Sequence, residues 1–274
     1  MKPEVSIVLP TKEEEGVFSV IKELRELFGS KAEIIVVDKS SSAYRSKVKK
    51  TGVKVIPQRD IGVENGILEG LRYASADILA TIDADGTHEL AGIKRGVQLV
   101  KQGKADYVLG NRMGNIDSGA MSAYLRFGNS CLSMIYNVFY KQNIHDVLTG
   151  MQVMSRKAYE EVKNIRPFKI QIVFFQTEVA RLGYKVHEVP IRYTERKLGV
   201  SKLAKSKLMY GFKTADHIIR RSRYYRSFMS FGLAGVVLAV IGLFGNVLLG
   251  VSTGWLIVLV IGVLLALFSL NFKI

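Results

Sequence analysis

The sequence predicts an α/β protein, a mostly parallel sheet with flanking helices, followed by a C-terminal hairpin of two apolar helices. Three observations carry this. Over the first hundred residues, short β-branched runs alternate with apolar residues at helical spacing. Two prolines and two aspartates stand at the carboxyl ends of those runs. From Phe228 to Leu270 no side chain is charged, whereas charged and apolar residues alternate up to about Tyr225.

The elements follow in order. Val5–Leu9 is a short apolar run stopped by Pro10, and Val17, Ile21, Leu24 and Phe28 then recur at helical spacing. Ile34–Val37 is a second strand ending at Asp38, and Val53–Ile56 a third stopped by Pro57. Ile67, Leu71 and Ala74 supply another helical stripe before a strand at Ile78–Ile82, which ends at Asp83. Ala105–Leu109 reads as a strand and Gly110–Gly119 as a loop; Tyr124 to Tyr140 has helical periodicity. Gln171–Leu182 is expected as a helix and Lys185–Tyr193 as a strand. The chain divides into a catalytic α/β unit over 1–202, a basic amphipathic segment over 203–226 and the apolar hairpin over 227–274. The hairpin's limbs, about 228–250 and 252–271, are separated by Ser252-Thr253-Gly254. A bilayer core of ~30 Å needs about 20 helical residues, so the hairpin is expected to span a membrane twice.

The formal charge of +15 admits nucleic acid, anionic lipid or an anionic substrate as partner. Its position favours lipid. Ten Lys and Arg residues between Arg196 and Arg226, with Asp216 as the sole acid, directly precede the apolar tail. Such a run marks the cytoplasmic side of a membrane segment. No nucleic-acid motif accompanies the charge, so nucleic acid is not expected as a partner. One cysteine, Cys131, excludes an internal disulfide and fits a reducing compartment. The N-terminal apolar run is too short for a signal peptide. A two-helix hairpin buries little area by itself, which leaves room for self-association into a homo-oligomer.

Asp83-Ala84-Asp85 is the strongest local signal. Two carboxylates one residue apart, directly after a buried strand, can hold a hard cation that bridges substrate phosphates. Ligands of parallel α/β sheets bind at the carboxyl ends of the strands, where Pro10, Asp38 and Asp83 all fall.

At this point the sequence resembles the family 2 glycosyltransferases of the GT-A fold, and among them the dolichol-phosphate mannose synthases and related polyprenyl-phosphate sugar synthases. The resemblance covers about residues 4–205. It is carried by Val8-Leu9-Pro10-Thr11 with Glu14, Val36-Val37-Asp38 with Ser40, Gly62 through Gly70, Ala74 and Asp77. It continues through Asp83-Ala84-Asp85 with His88, Gly110-Asn111-Arg112, Thr149-Gly150-Met151 and Glu188-Val189-Pro190-Ile191. It ends with Arg196, Gly199, Ser201, Lys202 and Leu203.

The resemblance implies a GT-A, Rossmann-like catalytic unit and a role for each matched residue. Pro10, Thr11, Glu14 and Asp38 would surround the base and ribose of a nucleotide-sugar. Asp83 and Asp85, with Thr87, would bind Mg²⁺ or Mn²⁺ at its diphosphate. Arg196 and Lys202 would complement phosphate charge from a loop that closes over the donor. Arg112, Arg126 and Ser130 would hold the phosphate of a polyprenyl or dolichyl acceptor, Arg126 and Ser130 sharing one helix face. Asp85, Arg112 and Arg196 would be the catalytic residues. The implied reaction is an inverting transfer from GDP-mannose or a UDP-sugar at the cytoplasmic membrane face.

A phosphate acceptor is already an anion at pH 7, so positioning and charge neutralisation suffice. A hydroxyl acceptor would instead require a carboxylate base, with Asp146 as the candidate. A membrane scaffold without activity is a third possibility, against which the retention of both aspartates argues. Departures from the family pattern cluster around the donor. Lys12-Glu13 stands for a common Tyr-Asn, Lys39 for a second Asp, Thr87 for Gln and Glu89 for Pro. These concern the identity of the donor more than the fold.

Overall fold

The computed structural model describes residues 2–165, 173–196, 207–222 and 224–270. Among these, β1 (Val5–Thr11), β2 (Ala32–Asp38), β3 (Lys54–Pro57), β4 (Ile78–Thr81), β5 (Tyr107–Asn111), β6 (Gln152–Ser155) and β7 (Val186–Pro190) build one sheet. The strand order is β3-β2-β1-β4-β6-β5-β7, and β6 alone runs antiparallel to its neighbours. Strand β6 was not expected from the sequence; it pairs with β4 over Ile78↔Ser155 to Thr81↔Gln152.

Side chains alternate along each strand, and both faces of this sheet are covered. Val8, Ile35 and Val37 pack with Tyr107, Tyr136 and Phe174 on one face. There lie α3 (Val63–Arg72), α5 (Ala123–Tyr140), α6 (Arg156–Val162) and α7 (Phe174–Arg181). Ile7, Leu9 and Val36 pack on the other face with Val17, Ile21 and Leu24 of α1 (Gly16–Phe28) and Ile93 and Val97 of α4 (Ala91–Lys101). Tyr44 and Val48 of α2 (Ser42–Lys49) join the same cluster. Burial on both faces is why these strands read as unbroken apolar runs rather than as an alternation. Each fully buried Val, Ile or Leu stabilises the fold by about 1.5–3 kcal/mol relative to exposure.

Several expected boundaries shift: β1 runs through Pro10 to Thr11, β3 includes Pro57, and β5 covers Tyr107–Asn111 rather than Ala105–Leu109. The helix expected from Gln171 begins at Phe174, residues 171–172 lying outside the described set. The last strand stops at Pro190 rather than Tyr193. Proline has no N–H to continue a ladder, and Tyr193 makes only isolated bridges to His88 and Ile116.

Of the basic segment, α8 (Lys207–Arg221) is described, and residues 203–206 are not. One face of α8 is buried through Thr214, His217 and Ile218. It is fixed to the catalytic unit by Arg221, which donates to the buried Glu178, and by Ile218 O, which accepts from the Tyr140 hydroxyl at 3.0 Å. The other face leaves Leu208, Met209 and Phe212 exposed.

The apolar tail forms the expected hairpin, α10 (Leu233–Leu249) against α11 (Thr253–Ser269), each of 17 residues. Both are shorter than the expected limbs, and no helix among the described residues is long and apolar enough to cross a membrane. The shortening has local causes. Ser252 caps α11, its hydroxyl accepting from Trp255 N, and a π-turn at Phe228–Gly232 precedes α10. Helical conformation nevertheless runs on from α9 (Tyr225–Ser227) through that π-turn into α10. The two helices approach closely where Gly242 and Gly262 face the partner backbone; a Cβ on Gly242 would meet Leu259 N at 2.5 Å.

Candidate functional site

The order of strands reverses between β1 and β4, and at such a switch point the loops leaving the carboxyl ends splay apart into a crevice. Into it run Thr11–Glu14 from β1, Asp38 from β2 and Asp83–Asp85 from β4. The antiparallel β6 starts at the same edge, bringing Gly150 there, and β5 ends there at Asn111. A Cβ on Gly150 would fall inside the Asp83 carboxylate, and one on Gly16 would meet Ala84 O and Asp85 C at 2.9 Å. The aspartate pair is therefore gripped by two bare backbone segments, one from each side.

The residues expected around a donor lie near one another at the carboxyl ends of β1 and β2. Asp38 is fully buried and accepts from Ser40 N at 3.0 Å and Ser40 Oγ at 2.5 Å. Burial pushes its carboxyl up, opposed by those two bonds. Thr11 Oγ1 lies 3.4 Å from the Tyr44 hydroxyl, which donates to Glu14 O at 2.5 Å. Pro10 sits within β1, its Cβ near Gly66. Lys39 donates to Gln58 O and Arg59 O at 3.3 and 2.7 Å, which turns it along the end of β3.

The two carboxylates of the D-x-D pair differ. Asp85 Oδ1 accepts from Thr87 N at 3.1 Å and Thr87 Oγ1 at 2.7 Å, and Asp85 Oδ2 from Arg196 Nη2 at 2.5 Å. Burial works against its charge, but the Thr87 bonds and the neighbouring cations hold its pKa below the usual value. Asp83 accepts no hydrogen bond among the described residues; burial and the charge of Asp85 push it up to about 6. An unbonded carboxylate beside a second one is the electrostatic signature of a place for a cation. No cluster of three or more His, Cys, Asp or Glu forms a complete metal cage among the described residues. Two carboxylates fit Mg²⁺ or Mn²⁺ when phosphate and water complete the shell. Thr87, expected as a third ligand, spends its hydroxyl proton on Asp85 and so orients that carboxylate.

Arg196 reaches the crevice, donating through Nη1 to Glu14 Oε2 at 2.9 Å as well as to Asp85. It bridges the β1 and β4 sides of the site. Lys202, expected beside it, lies outside the described residues. His88 is buried, with Nδ1 3.1 Å from Thr87 Oγ1 and its ring edge-on to Tyr193. Burial and the charge of Arg112 push its pKa down to about 4, so the ring is neutral at pH 7.

The acceptor-side residues divide. Arg112, directly after β5, is buried, and its Nε and Nη2 donate to the two oxygens of Asp146 at 2.6 and 2.8 Å. Asp146 Oδ2 also accepts Arg112 N at 3.0 Å, and Nη2 donates to Leu148 O at 3.1 Å. The guanidinium lies over the Tyr193 ring at 5.1 Å. Burial disfavours this cation, but Asp146 more than offsets that and raises its pKa. Nη1 makes no hydrogen bond among the described residues. Asp146 is fully buried and committed to this pair, an arrangement unlike that of a free base.

Arg126 and Ser130 lie on α5, both exposed, and Arg126 forms no ion pair among the described residues. The Ser130 hydroxyl donates to Arg126 O at 3.0 Å, the ordinary back-bond of a helical serine. Alongside them Tyr124, Phe127, Met134 and Val138 are exposed, Phe127 to 71%. Sequence reasoning gave neither Tyr193 nor Glu188 a role; the cue for Tyr193 was only its place at the end of the expected strand, three residues past Pro190 where β7 stops.

Comparison with known proteins bears on the family and the fold. The model of glycosyl transferase family 2 matches residues 6–163. The chain is 26% identical over 196 residues to a dolichyl-phosphate hexose transferase of Haloferax volcanii, covering 70% of this chain and 84% of that protein. It is 28% identical over 244 residues to a dolichol-phosphate mannosyltransferase of Pyrococcus furiosus, covering 80% and 64%. Against the low-salt glycan biosynthesis hexosyltransferase Agl6 of H. volcanii, the match spans about half of that protein, 48% of its length, and 71% of this chain at 28% identity. Among solved structures, Staphylococcus aureus TarS 1-349 in complex with UDP-GlcNAc superimposes with TM-score 0.55 at 13% identity, covering 99% of this chain and 90% of that one. The mannosyltransferase PcManGT from Pyrobaculum calidifontis, in complex with GDP-Man and Mn²⁺, does so with TM-score 0.50 at 14% identity, covering 99% and 86%. At such identities these two structures bear on the fold alone. With a family model matched over more than half of its length, the chain belongs to glycosyl transferase family 2.

Proposed function

We propose that this chain transfers a hexosyl group from a nucleotide-sugar to a dolichyl or other polyprenyl phosphate, with inversion, at the cytoplasmic face of a membrane. The observation that carries the acceptor half is Arg112, a buried guanidinium with Nη1 unspent at the same sheet edge as Asp83 and Asp85. An anion fits that nitrogen better than a neutral hydroxyl does. The names of relatives that act on dolichyl phosphate support the same reading.

Pro10, Thr11, Glu14 and Asp38 would take the base and ribose of GDP-mannose or a UDP-sugar, and Arg196 and Lys202 its diphosphate. A divalent cation held by Asp83 and Asp85 would neutralise the departing diphosphate. Arg112, with Arg126 from the exposed side of α5, would aim the acceptor phosphate at the anomeric carbon. A phosphate oxygen forms the new bond to that carbon as its bond to the diphosphate breaks, the electron pair leaving with the diphosphate. No proton moves, because the acceptor is ionised at pH 7. The protein's contribution is therefore orientation and charge placement.

The reading puts the hairpin in the bilayer. Support comes from the charge-free run Phe228–Leu270 and from outward-facing apolar side chains such as Val247, Leu248 and Leu249, each exposed by more than 70%. The continuous helical rod from Tyr225 is also longer than α10 alone. The basic residues before it support a cytoplasmic position for the catalytic unit, by the positive-inside rule.

The test is Arg126→Ala in a kinetic assay with polyprenyl phosphate. Loss of one charge-assisted contact is expected to raise KM for the lipid phosphate about 10- to 100-fold while leaving donor binding intact. Unchanged kinetics toward the lipid phosphate would remove Arg126 from the site and favour a hydroxyl acceptor.

A further inference from the structure

We infer that Glu188 is a positioning residue that sets the register of Arg112 and Asp146 at the acceptor end of the site; the inference rests on the functional reading above. Glu188 lies on β7 opposite Leu109 of β5, with its side chain only 11% exposed. Its Oε1 accepts the backbone N–H groups of His145 and Asp146, each at 2.9 Å. Its Oε2 accepts Asn111 Nδ2 at 3.1 Å and lies 2.9 Å from His145 Nδ1. A carboxylate can only accept, so His145 holds a proton on Nδ1 here. One side chain thus ties the residue preceding Arg112 to the backbone of the counter-ion of Arg112.

The rest of the 144–148 loop is secured from a different direction. Asn137 exchanges two bonds with Ile144, both 2.8 Å, and Ser133 Oγ donates to His145 O at 3.1 Å. Asn129 Oδ1 accepts Leu148 N at 3.0 Å. Helix α5 therefore holds the course of the loop, whereas Glu188 fixes its offset from β5. Removing Glu188 should leave the loop folded on α5 but let Asp146, and with it Arg112, drift relative to the donor crevice. A displacement of about 1 Å at a substrate-positioning group can cost 10²-fold in rate.

The experiment uses the full-length chain with nucleotide-sugar, metal and polyprenyl phosphate, comparing Glu188→Ala and Glu188→Gln with the parent. Glu188→Ala is expected to lower kcat/KM for the lipid phosphate about 10- to 100-fold, with calorimetric donor binding within about twofold of the parent. Glu188→Gln, whose carbonyl can still accept both backbone N–H groups, is expected to recover most of that loss. A uniform loss of donor and acceptor parameters would mark a merely structural role and overturn the inference, as would wild-type acceptor kinetics in Glu188→Ala. Hydrogen-exchange mass spectrometry on the same variants reads the clamp without reference to the acceptor. Faster exchange confined to 144–148 is expected in Glu188→Ala, and unchanged exchange there would overturn the inference. A parent protein that leaves polyprenyl phosphate untouched would sink the functional reading, and the exchange result would still decide the role of Glu188.

Discussion

Asp83→Asn is expected to reduce sugar transfer by three orders of magnitude or more while leaving the metal-free protein as stable as the parent, or more so. Under the proposed reading turnover should fall because one of the two carboxylates that would hold a divalent cation is gone; loss of a single electrostatic element at a reacting centre costs about 10²–10³, and loss of a metal more. Stability should not fall with it. Asp83 accepts no hydrogen bond among the described residues and sits against Asp85, so its folded-state pKa lies at about 6, above the ordinary 3.8. A carboxyl raised in this way binds more protons folded than unfolded between those values. Its ionisation therefore weakens the fold progressively as pH rises through that window. The amide removes this penalty. In chelator, the melting-temperature difference between Asp83→Asn and the parent should be largest at pH 7 and fade toward pH 4. Calorimetric titration of nucleotide-sugar with Mn²⁺ provides the functional half: binding in the parent, little or none in the variant. Full metal-dependent binding by Asp83→Asn would remove the role given to this carboxylate.

The second large effect is expected at Asp146. Asp146→Ala leaves the buried Arg112 cation with Leu148 O and the face of Tyr193 as its remaining partners. Breaking one side of a buried ion pair costs about 3–5 kcal/mol because a charge is left uncompensated, and a pair bound through two parallel bonds belongs to the upper part of that range. Arg112→Ala should destabilise by a similar amount for the reciprocal reason. Replacing both, Arg112→Met with Asp146→Leu, should restore much of the stability without restoring acceptor use. Denaturant midpoints of the two singles and the double form a cycle whose coupling is expected to be large. Two singles that simply add would show that the pair is not coupled in the folded protein.

That pair also shows what the sequence could and could not reveal. β1, β2 and β4 were legible because strands buried on both faces are short apolar runs, and Pro10, Asp38 and Asp83, at or near their carboxyl ends, interrupt those runs visibly. α5 was legible from periodicity alone. β6 was not: its four residues pair antiparallel with β4, more than seventy positions earlier, and nothing local announces such a pairing. The same long-range insertion brings Asp146 beside Arg112, thirty-four positions apart. From sequence, Arg112 reads as a phosphate ligand and Asp146 as a base for a different acceptor. In the structure they are one ion-paired unit, and among the described residues only Nη1 of Arg112 makes no hydrogen bond. Likewise, Thr87 reads from the sequence as a metal ligand, and its hydroxyl also donates to Asp85, a bond that spacing does not announce. Spacing identifies which side chains reach a strand end; it does not say which of them neutralise one another there.

The apolar tail teaches a related lesson. Composition alone locates it, since no charge interrupts 228–270. The exact helix lengths depend on a π-turn and a serine cap, which composition does not specify. The exposed Leu208, Met209 and Phe212 of α8 and the exposed apolar residues of α5 continue that apolar character on the catalytic unit.

The most direct test of the central claim is product analysis by mass spectrometry and anomeric NMR. Purified protein, Mg²⁺ or Mn²⁺ and a panel of GDP- and UDP-sugars would be offered both a polyprenyl phosphate and the corresponding polyprenol. The account predicts a single glycosyl phosphodiester of inverted anomeric configuration, formed from the phosphate and abolished by chelator. Transfer to the free alcohol in preference to the phosphate, or transfer that persists in chelator, would contradict it.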